Sequence, residues 1–530
     1  MHAPVARPLL IVCAAALLAH ATAVAGGFVW LDHAHISDRL ALEPLPRLFS
    51  AFIHGFAGTG FYRPLMSVSL SLDAATGAGP WLFHLVSALW HAAAAVMTMI
   101  AAQVLGVPRR GSFVAALVFA VHPGTSLVAS AIAFRSEAMI AVSLLTLIAL
   151  HVQGRNKAAA IALFLGALCK ETALVLGPLF ILAIEYDRRA DLRQALKLRW
   201  RLFAFEATAW VAAVAMRFTF APPWRAQFPT LGADHAVGMR LAALGKNALL
   251  LFFPLTHEVC DAFPLTGATS PAAIAGAAVL VALLVAAVRR RGPALFMAIA
   301  LLPSLHLVPI MRWWSPHYVY VPLAFAAMIF GQGVEKLATL MTGPRLPWVN
   351  RGVAALICVF GLLSLQAGLR YRTDVSLWQP EVKGEPGCRE GQFFLAEASR
   401  DKGQLEQAAH QYEQAIQGQP GVLAYVDRGS ALQNLGVVRL TQKRFTEAAA
   451  VFRSALPIVQ GHERRQLVHN LAAAELSAGN ASQTESLLEE ETQRADAMPA
   501  SLFVRAHALA QLGRTQEANA LMLRYKVATQ

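Results

Sequence analysis

An acid and two histidines follow directly on the first apolar run of the chain. Asp32, His33 and His35 lie in the stretch GGFVWLDHAHISD, residues 26–38. A carboxylate at the point where a chain leaves a bilayer can act as a general base on a hydroxyl group. The structural alternative is that Asp32 caps a short helix in a solvated loop. The sequence leaves both interpretations open.

Further polar and charged side chains recur at the ends of apolar segments. Ionisable groups at membrane depth are costly and are usually functional. One acid surrounded by cations suits a reaction in which an anionic lipid phosphate departs, because the cations hold the phosphate while the carboxylate takes a proton from the attacking hydroxyl. The set comprises Arg63, His122, Arg135, Glu137, Lys170, Glu171, Arg312, His317, Tyr318 and Tyr320.

Each of these residues also has a structural explanation. His122 precedes a proline and can simply end a helix, and Tyr318 and Tyr320 suit the aromatic belt of a membrane interface. Lys170 and Glu171 can form a turn, since adjacent helical residues do not face each other. The functional hypothesis therefore depends on the elements that bring these residues to one side.

The composition indicates a membrane protein. Of the 530 residues, 56% are hydrophobic and 15% are charged, whereas soluble domains carry roughly 25% charged residues. Apolar runs recur that can cross a hydrocarbon core of ~30 Å, and they predict about eleven crossings. These lie near residues 8–25, 81–105, 111–124, 137–152, 158–169, 172–186, 200–220, 271–288, 293–311, 317–333 and 351–369.

The formal charge of +13 comes largely from basic clusters between apolar runs. The positive-inside rule places these clusters in the cytoplasm, so membrane topology explains the charge better than nucleic-acid binding. With every basic cluster in the cytoplasm, the number of crossings between clusters must be even. Asp32 then lies outside, residues 158–186 form a hairpin that turns at Lys170 and Glu171, and residues 240–256 are interfacial. The clusters are at residues 109–110, 155–157, 188–201 and 289–291.

The first helix and the cysteines each allow a simple interpretation. AHATAVA, at the end of the first apolar run, resembles a signal-peptide cleavage site, but retention is favoured because the helix would support the loop behind it. Asp32 is outside in either case.

The five cysteines show neither metal-ligand spacing nor a disulfide framework, so no metal site is expected.

From residue 370 the composition changes to Gln, Glu, Ala and Arg with helical periodicity. Four segments recur at roughly the 34-residue tetratricopeptide period: KGQLEQAAHQYEQAI, QKRFTEAAAVFRSAL, AGNASQTESLLEEE and LGRTQEANALMLRY. We predict a membrane domain over residues 1–370, a linker over 371–387 and a soluble repeat solenoid over 388–530, on the outer side. Such arrays present a concave surface to a protein partner, and the alternative is a stabilising appendage without a ligand.

Six segments occur in an order that resembles a known family. They are FVWLDHAHI, FYRPLMSVSLSLD, FHLVSALWHAAAAVM, ALVFAVHPGTSLVA, LCKETALVLGPL and HYVYVPL, and they resemble signatures of the transmembrane and tetratricopeptide-repeat O-mannosyltransferases of the glycosyltransferase C superfamily. The resemblance covers essentially the whole chain. It implies a polyprenyl-phosphate-linked sugar donor, inversion at the sugar carbon and a protein hydroxyl acceptor. Asp32 keeps the position of the family's base, whereas His33 and His317 stand where the family usually has acids.

We therefore predict an all-α, multi-pass glycosyltransferase in the membrane, a bacterial inner membrane by expectation, with its active site on the outer, periplasmic face. No cofactor is expected beyond the lipid-phosphate sugar donor. The expected partners are membrane lipid, that donor and an acceptor protein bound by the repeats. The alternatives are a ligase or polymerase of lipid-linked glycans and a non-catalytic membrane scaffold that presents the repeats.

The candidate site residues divide into three groups. Asp32 is the candidate base, and His33 assists it or contacts the sugar. The candidates for holding the donor phosphate are Arg135, Lys170, Arg63 and Arg312. The candidates for contacting the substrate are His122, Glu137, Glu171, His317 and Tyr320.

Overall fold

The structure of the chain is a computed structural model. It describes residues 3–188, 192–221, 231–254, 258–289, 292–307, 310–341 and 346–529. Helix makes up 79% and strand 1% of the structure, so the prediction of an all-α chain is confirmed. The chain divides into two compact units, residues 1–377 and 378–530, and each is described by itself.

The first unit consists mostly of apolar helices, and residues 25–63 form a long connection between α2 and α3. Its helices are, in chain order, α1 Ala3–Ala19, α2 Ala21–Val24, α3 Pro64–Ala75, α4 Pro80–Val104, α5 Arg109–Val121, α6 Ser126–Ser130, α7 Arg135–Val152, α8 Asn156–Cys169, α9 Ala173–Arg188, α10 Leu192–Leu198, α11 Trp200–Phe220, α12 Ala233–Phe252, α13 Pro271–Val288, α14 Pro293–Leu301, α15 Tyr320–Leu340 and α16 Leu346–Gly368. Helix α17, Asp374–Gly384, lies within the segment predicted as a linker.

Six helical segments in the described ranges are long and apolar enough to cross a membrane. They are Pro80–Val104, Ile132–Val152, Trp200–Phe220, Pro271–Val288, Pro316–Leu340 and Pro347–Arg372. Helix α5 and residues 123–130 form a seventh candidate that is bent by 56°. Shorter apolar helices are Arg7–Ala19, Asn156–Cys169 and Pro293–Leu305. The chain thus has the apolar helices of a membrane protein, and the number of about eleven crossings stays a prediction.

Several predicted boundaries can be compared directly with these helices. Helix α8 ends at Cys169 and α9 begins at Ala173, so the predicted break at Lys170 and Glu171 is present. Most of the stretch predicted to be interfacial belongs to α12. Parts of the predicted basic clusters and segments lie outside the described residues, namely 189–191, 255–257, 290–291 and 308–309.

Glycines allow close helix contacts in the first unit. Helices α5 and α15 cross at Gly111 and Gly331, where a Cβ on Gly331 would lie 2.2 Å from the Gly111 carbonyl oxygen. Small residues let apolar helices approach closely, and close approach is what holds helices together without a hydrophobic driving force. Helix α1 packs on α4, α5 and α16, and retention of this first helix stays a prediction.

The second unit is a series of helices in which each packs against the next. The side chains of Ala408, Tyr412, Ala448 and Phe452 are buried in these contacts, as expected from the repeated pattern. The assignment of the array to tetratricopeptide repeats stays a prediction. The helices are α18 Arg389–Asp401, α19 Leu405–Gln417, α20 Arg428–Thr441, α21 Phe445–Ala455, α22 Gly461–Ser477, α23 Ala481–Gln493, α24 Pro499–Gln511 and α25 Thr515–Ala528.

Candidate functional site

The carboxylate of Asp32 is buried in the loop of residues 26–38, called the Asp32 loop below. Its Oδ1 accepts the N–H of Ala133 at 2.8 Å, and its Oδ2 accepts the N–H of Val29 at 3.4 Å. No side-chain hydrogen bond joins Asp32 to the π-helical turn that follows, His33–Ser37. The interpretation of Asp32 as a cap of that turn is therefore wrong, because its hydrogen bonds go elsewhere.

Burial raises the pKa of Asp32 into the range of a base that works at neutral pH. Its side chain is 0% exposed, and this desolvation raises the pKa of Asp32 to about 7, although the bonds from Ala133 and Val29 oppose the shift. A carboxyl with a pKa near the working pH combines availability of the ionised form with enough basicity to accept a proton. Strongly perturbed carboxyl groups of this kind are candidate functional residues.

The two histidines of the loop differ in environment. His33 is paired through Nε2 with Asp374 Oδ2 at 2.6 Å, and this bond is the largest cause that raises the pKa of His33. His35 packs edge-on against the ring of Phe56 at 5.0 Å. Burial lowers the pKa of His35 to about 4, so His35 is neutral at neutral pH, whereas the bond to Asp374 favours the protonated form of His33.

Five of the predicted residues come together in what we call the cation–acid cluster, which consists of Arg63, Glu137, Lys170, Glu171 and His317. Lys170 Nζ donates to Glu137, and Arg63 Nε donates to Glu171 Oε2 at 3.1 Å. His317 Nε2 lies 3.7 Å from Glu137 Oε1. The break between α8 and α9 positions Lys170 and Glu171, so a feature predicted as a turn supplies both a cation and an acid.

An aromatic contact joins the Asp32 loop to this cluster. The ring of Phe134 lies 4.9 Å from the ring of Trp30 and 4.8 Å from that of His317. Arg312 lies with its guanidinium 5.4 Å from the Trp30 ring and its Nε 3.9 Å from Asp261 Oδ2. Trp30, two residues before the candidate base, is therefore linked through Phe134 to His317 of the cluster, and it lies against Arg312.

Arg135 has partners other than the predicted phosphate. Its side chain is 0% exposed, and all three of its nitrogens are engaged. The contacts are Nε to Ser87 Oγ at 3.0 Å, Nη1 to Ser69 Oγ at 2.8 Å, Nη1 to Asp73 Oδ2 at 2.6 Å and Nη2 to the Phe83 carbonyl at 2.7 Å. In this structure the N–H groups of Arg135 are thus taken by a buried carboxylate, two hydroxyls and a carbonyl, which gives Arg135 a structural role, and a contact with the donor phosphate stays a prediction.

His122 and Tyr320 are likewise engaged within the helix packing. The Tyr320 hydroxyl lies 2.8 Å from Nδ1 of His91, whose Nε2 lies 3.0 Å from the Ala120 carbonyl oxygen. His122 Nδ1 accepts the N–H of Gly124 at 3.0 Å. Both side chains are buried, so these contacts give them a structural explanation, and a contact with substrate stays a prediction.

The sequence did not single out the acids Asp73, Asp261 and Asp374, although each pairs with a candidate residue. Asp73 ends the segment FYRPLMSVSLSLD, and a lone acid in an apolar helix is a signal that could have been used. Asp374 gave no such signal, because it stands in a polar stretch. Within the described ranges, no three His, Cys, Asp or Glu side chains are arranged to share a metal ion.

Comparison with known proteins gives one informative similarity. No protein-family model matches the chain. A segment of 269 residues is 27% identical to "Protein O-mannosyl-transferase Tmtc2" of Drosophila melanogaster, and it covers 46% of this chain and 28% of the fly protein. The chain therefore spans less than a third of the relative it matches. The similarity is to part of a protein of that name, and the apolar helices of this chain are typical of a membrane protein.

Proposed function

We propose that the chain is a membrane glycosyltransferase that moves a sugar from a polyprenyl-phosphate donor to a protein hydroxyl group, with the Asp32 loop on the outer (periplasmic) face. The observation that carries the proposal is the buried Asp32 carboxylate, with its pKa of about 7, two residues after Trp30, whose ring faces the Arg312 guanidinium at 5.4 Å. The similarity to a protein O-mannosyl-transferase supports sugar transfer as the reaction, with a hexose as the transferred group.

The proposed reaction needs a base, an electrophile and a stabilised leaving group. Ionised Asp32 takes the proton of the acceptor hydroxyl, whose oxygen attacks the anomeric carbon of the donor. The bond from this carbon to the phosphate oxygen breaks on the opposite face, so the configuration inverts, and the polyprenyl phosphate leaves as an anion. Protonated Asp32 then returns its proton to solvent.

Three predicted cations are suited to hold the departing phosphate. Arg63, Lys170 and Arg312 each face one acid, and these acids are Glu171, Glu137 and Asp261. Paired acids hold the cations in fixed positions before the donor arrives, which is the kind of preorganisation that stabilises developing charge. In this arrangement Glu137 and Glu171 orient cations, and His317 is the member of the cluster that we assign to the sugar.

Access to Asp32 requires movement, because the carboxylate is buried in this structure. Trp30, two residues earlier, has φ of 59°, and a bulky residue in the left-handed region is strained. We assign the Asp32 loop as the segment that opens for the acceptor hydroxyl. Closure then excludes water and strengthens the electrostatic interactions inside the site.

The rate of sugar transfer should rise with pH through about 7. Asp32 is protonated below this value and cannot accept a proton, whereas above it the ionised base predominates. Because its pKa is raised, the Asp32 carboxyl holds its proton more tightly in the folded state than in the unfolded state. The contribution of Asp32 to the free energy of unfolding therefore falls as the pH rises from 3.8 through about 7. Initial rates of transfer from polyprenyl-phosphate mannose to a Ser/Thr peptide would measure the profile, and a rate that is flat over this range contradicts the assignment.

A topology reporter tests the sidedness. A phosphatase that is active only outside the cytoplasm should be active when it is fused after residue 375 or after the last residue. The matched control is a fusion at Gly154, between α7 and α8, which the positive-inside rule places inside and which should be inactive. The reverse pattern would remove the outer face from the proposal.

The function itself is tested in cells with and without the gene. Intact-mass analysis of exported proteins should show species that are heavier by whole hexose units only when the gene is present. Sugar found on a lipid acceptor and on no protein would instead identify a ligase or polymerase of lipid-linked glycans. Unchanged masses of proteins and glycolipids would leave the non-catalytic scaffold as the explanation.

A further inference from the structure

A His–Asp pair links the Asp32 loop to the start of α17. Asp374 is the first residue of α17, and its two carboxylate oxygens have different partners. Oδ2 lies 2.6 Å from His33 Nε2, and Oδ1 accepts the backbone N–H of Trp30 at 2.7 Å. The side chain of Asp374 is 15% exposed and that of His33 is 41% exposed, so the ring can be reached from solvent while its partner is shielded.

This double contact fixes both the backbone and a side chain beside the candidate base. Trp30 has φ of 59°, a conformation that a non-glycine residue keeps only where its surroundings hold it. The hydrogen bond from Trp30 to Asp374 is one such restraint. Because His33 directly follows Asp32, one carboxylate sets the backbone on one side of the base and the imidazole on the other.

The charges around His33 favour its protonated form. The acids that face it are Asp374, Asp32 and Asp38, and they raise the pKa of His33 against the opposing effect of burial. The bond to Asp374 is the largest of these causes. The protonated ring in turn lowers the pKa of Asp32, so a cation at His33 favours the ionised base next to it.

We propose that Asp374 is a positioning residue that keeps His33 protonated, so that the Asp32 loop presents a base and a cation side by side. The inference rests on the proposed function, in which a lipid phosphate departs near Asp32. The imidazolium supplies positive charge as the phosphate leaves and keeps its own proton throughout. His33 thereby joins Arg63, Lys170 and Arg312 as a cation, and it differs from them by being able to lose its charge above neutral pH.

The first test measures the ionisation of His33 without any substrate. Diethyl pyrocarbonate modifies neutral imidazole, and mass spectrometry of the full-length protein in detergent follows each histidine as a function of pH. In Asp374→Asn the midpoint for His33 should move to lower pH, and in Asp374→Glu it should stay near the wild-type value because the charge is kept. The exposed side chain of His54 is the internal control, and its profile should be the same in all variants.

A matched variant separates the hydrogen bond from simple charge. Asp38→Asn removes another acid that faces His33 but leaves the pair with Asp374 in place, so it should shift the His33 midpoint less than Asp374→Asn does. Equal shifts would show that any nearby acid serves, and an unshifted midpoint in Asp374→Asn would overturn the inference. Either result would stand whatever reaction the protein catalyses.

The second test uses transfer from polyprenyl-phosphate mannose to a Ser/Thr peptide. In the wild-type protein, the rate should fall at alkaline pH as His33 loses its proton. In Asp374→Asn this fall should begin at lower pH, and the rate above neutral pH should be about tenfold lower or more, the size expected for losing a bond to a charged group. Asp374→Glu should restore most of it. If Asp374→Asn has the wild-type pH–rate profile, the inference about Asp374 is contradicted but the proposed function is not. If the wild-type protein transfers no sugar, the proposed function is contradicted.

Discussion

Replacing Asp32 by asparagine should reduce sugar transfer by about 100-fold or more, the range expected for loss of a general base. The amide oxygen of asparagine can still accept the N–H of Ala133, as Oδ1 of Asp32 does at 2.8 Å, so the loop should keep its conformation. The substituted side chain has no basicity, and the acceptor hydroxyl then keeps its proton. Binding of polyprenyl phosphate should persist, because the cations that we assign to it are untouched.

The measurement is the initial rate of transfer by purified Asp32→Asn, together with the thermal midpoint of unfolding to show that the fold is intact. Asp38→Asn is the matched control, since it changes an exposed acid of the same loop and should affect the rate far less. His33→Ala should also be milder than Asp32→Asn. A stable Asp32→Asn protein that works at the wild-type rate would remove Asp32 from the catalytic role.

Replacing Arg135 by alanine should destabilise the protein by about 3–5 kcal/mol, the range measured when one partner of a buried ion pair is removed. The Arg135 guanidinium lies 2.6 Å from Asp73, and both side chains are shielded from solvent. Without the cation the Asp73 carboxylate stays buried with no compensating charge. The hydroxyls of Ser69 and Ser87 also lose a donor.

Thermal unfolding in detergent would measure this effect, and Arg47→Ala, which changes an exposed arginine, should leave the midpoint nearly unchanged. The double substitution Arg135→Met with Asp73→Leu should be less destabilised than Arg135→Ala, because replacing a whole buried pair with apolar groups is often neutral. If Arg135→Ala keeps the wild-type midpoint and loses affinity for polyprenyl phosphate, the original prediction of a phosphate ligand would be correct.

The apolar helices could be predicted from the sequence because their signal is local. Runs of apolar residues and interruptions by paired charges, such as Lys170 and Glu171, mark where helices end whatever the tertiary structure is. The repeated Ala408 and Tyr412 pattern of the second unit is local in the same sense. These elements lie in the structure where composition and spacing place them.

The partners of the charged residues could not be predicted, because they depend on which helices come together. Arg135 and Asp73 are both buried charges within apolar segments, and a sequence does not show that they face each other across α3 and α7. The pair of His33 with Asp374 spans 341 positions of the chain. The expected common side included Arg63, Lys170 and His317, which lie together in the structure, and also Arg135, whose ion pair is with Asp73.

Reconstituted transfer tests the central claim most directly. Purified full-length protein in detergent is incubated with polyprenyl-phosphate mannose and a Ser/Thr peptide, and the peptide mass is followed at pH values on both sides of about 7. The account predicts a gain of one hexose on a hydroxyl side chain, faster at the higher pH and nearly absent in Asp32→Asn. A peptide that never gains a hexose, or that gains it equally fast with Asp32→Asn, would contradict the account.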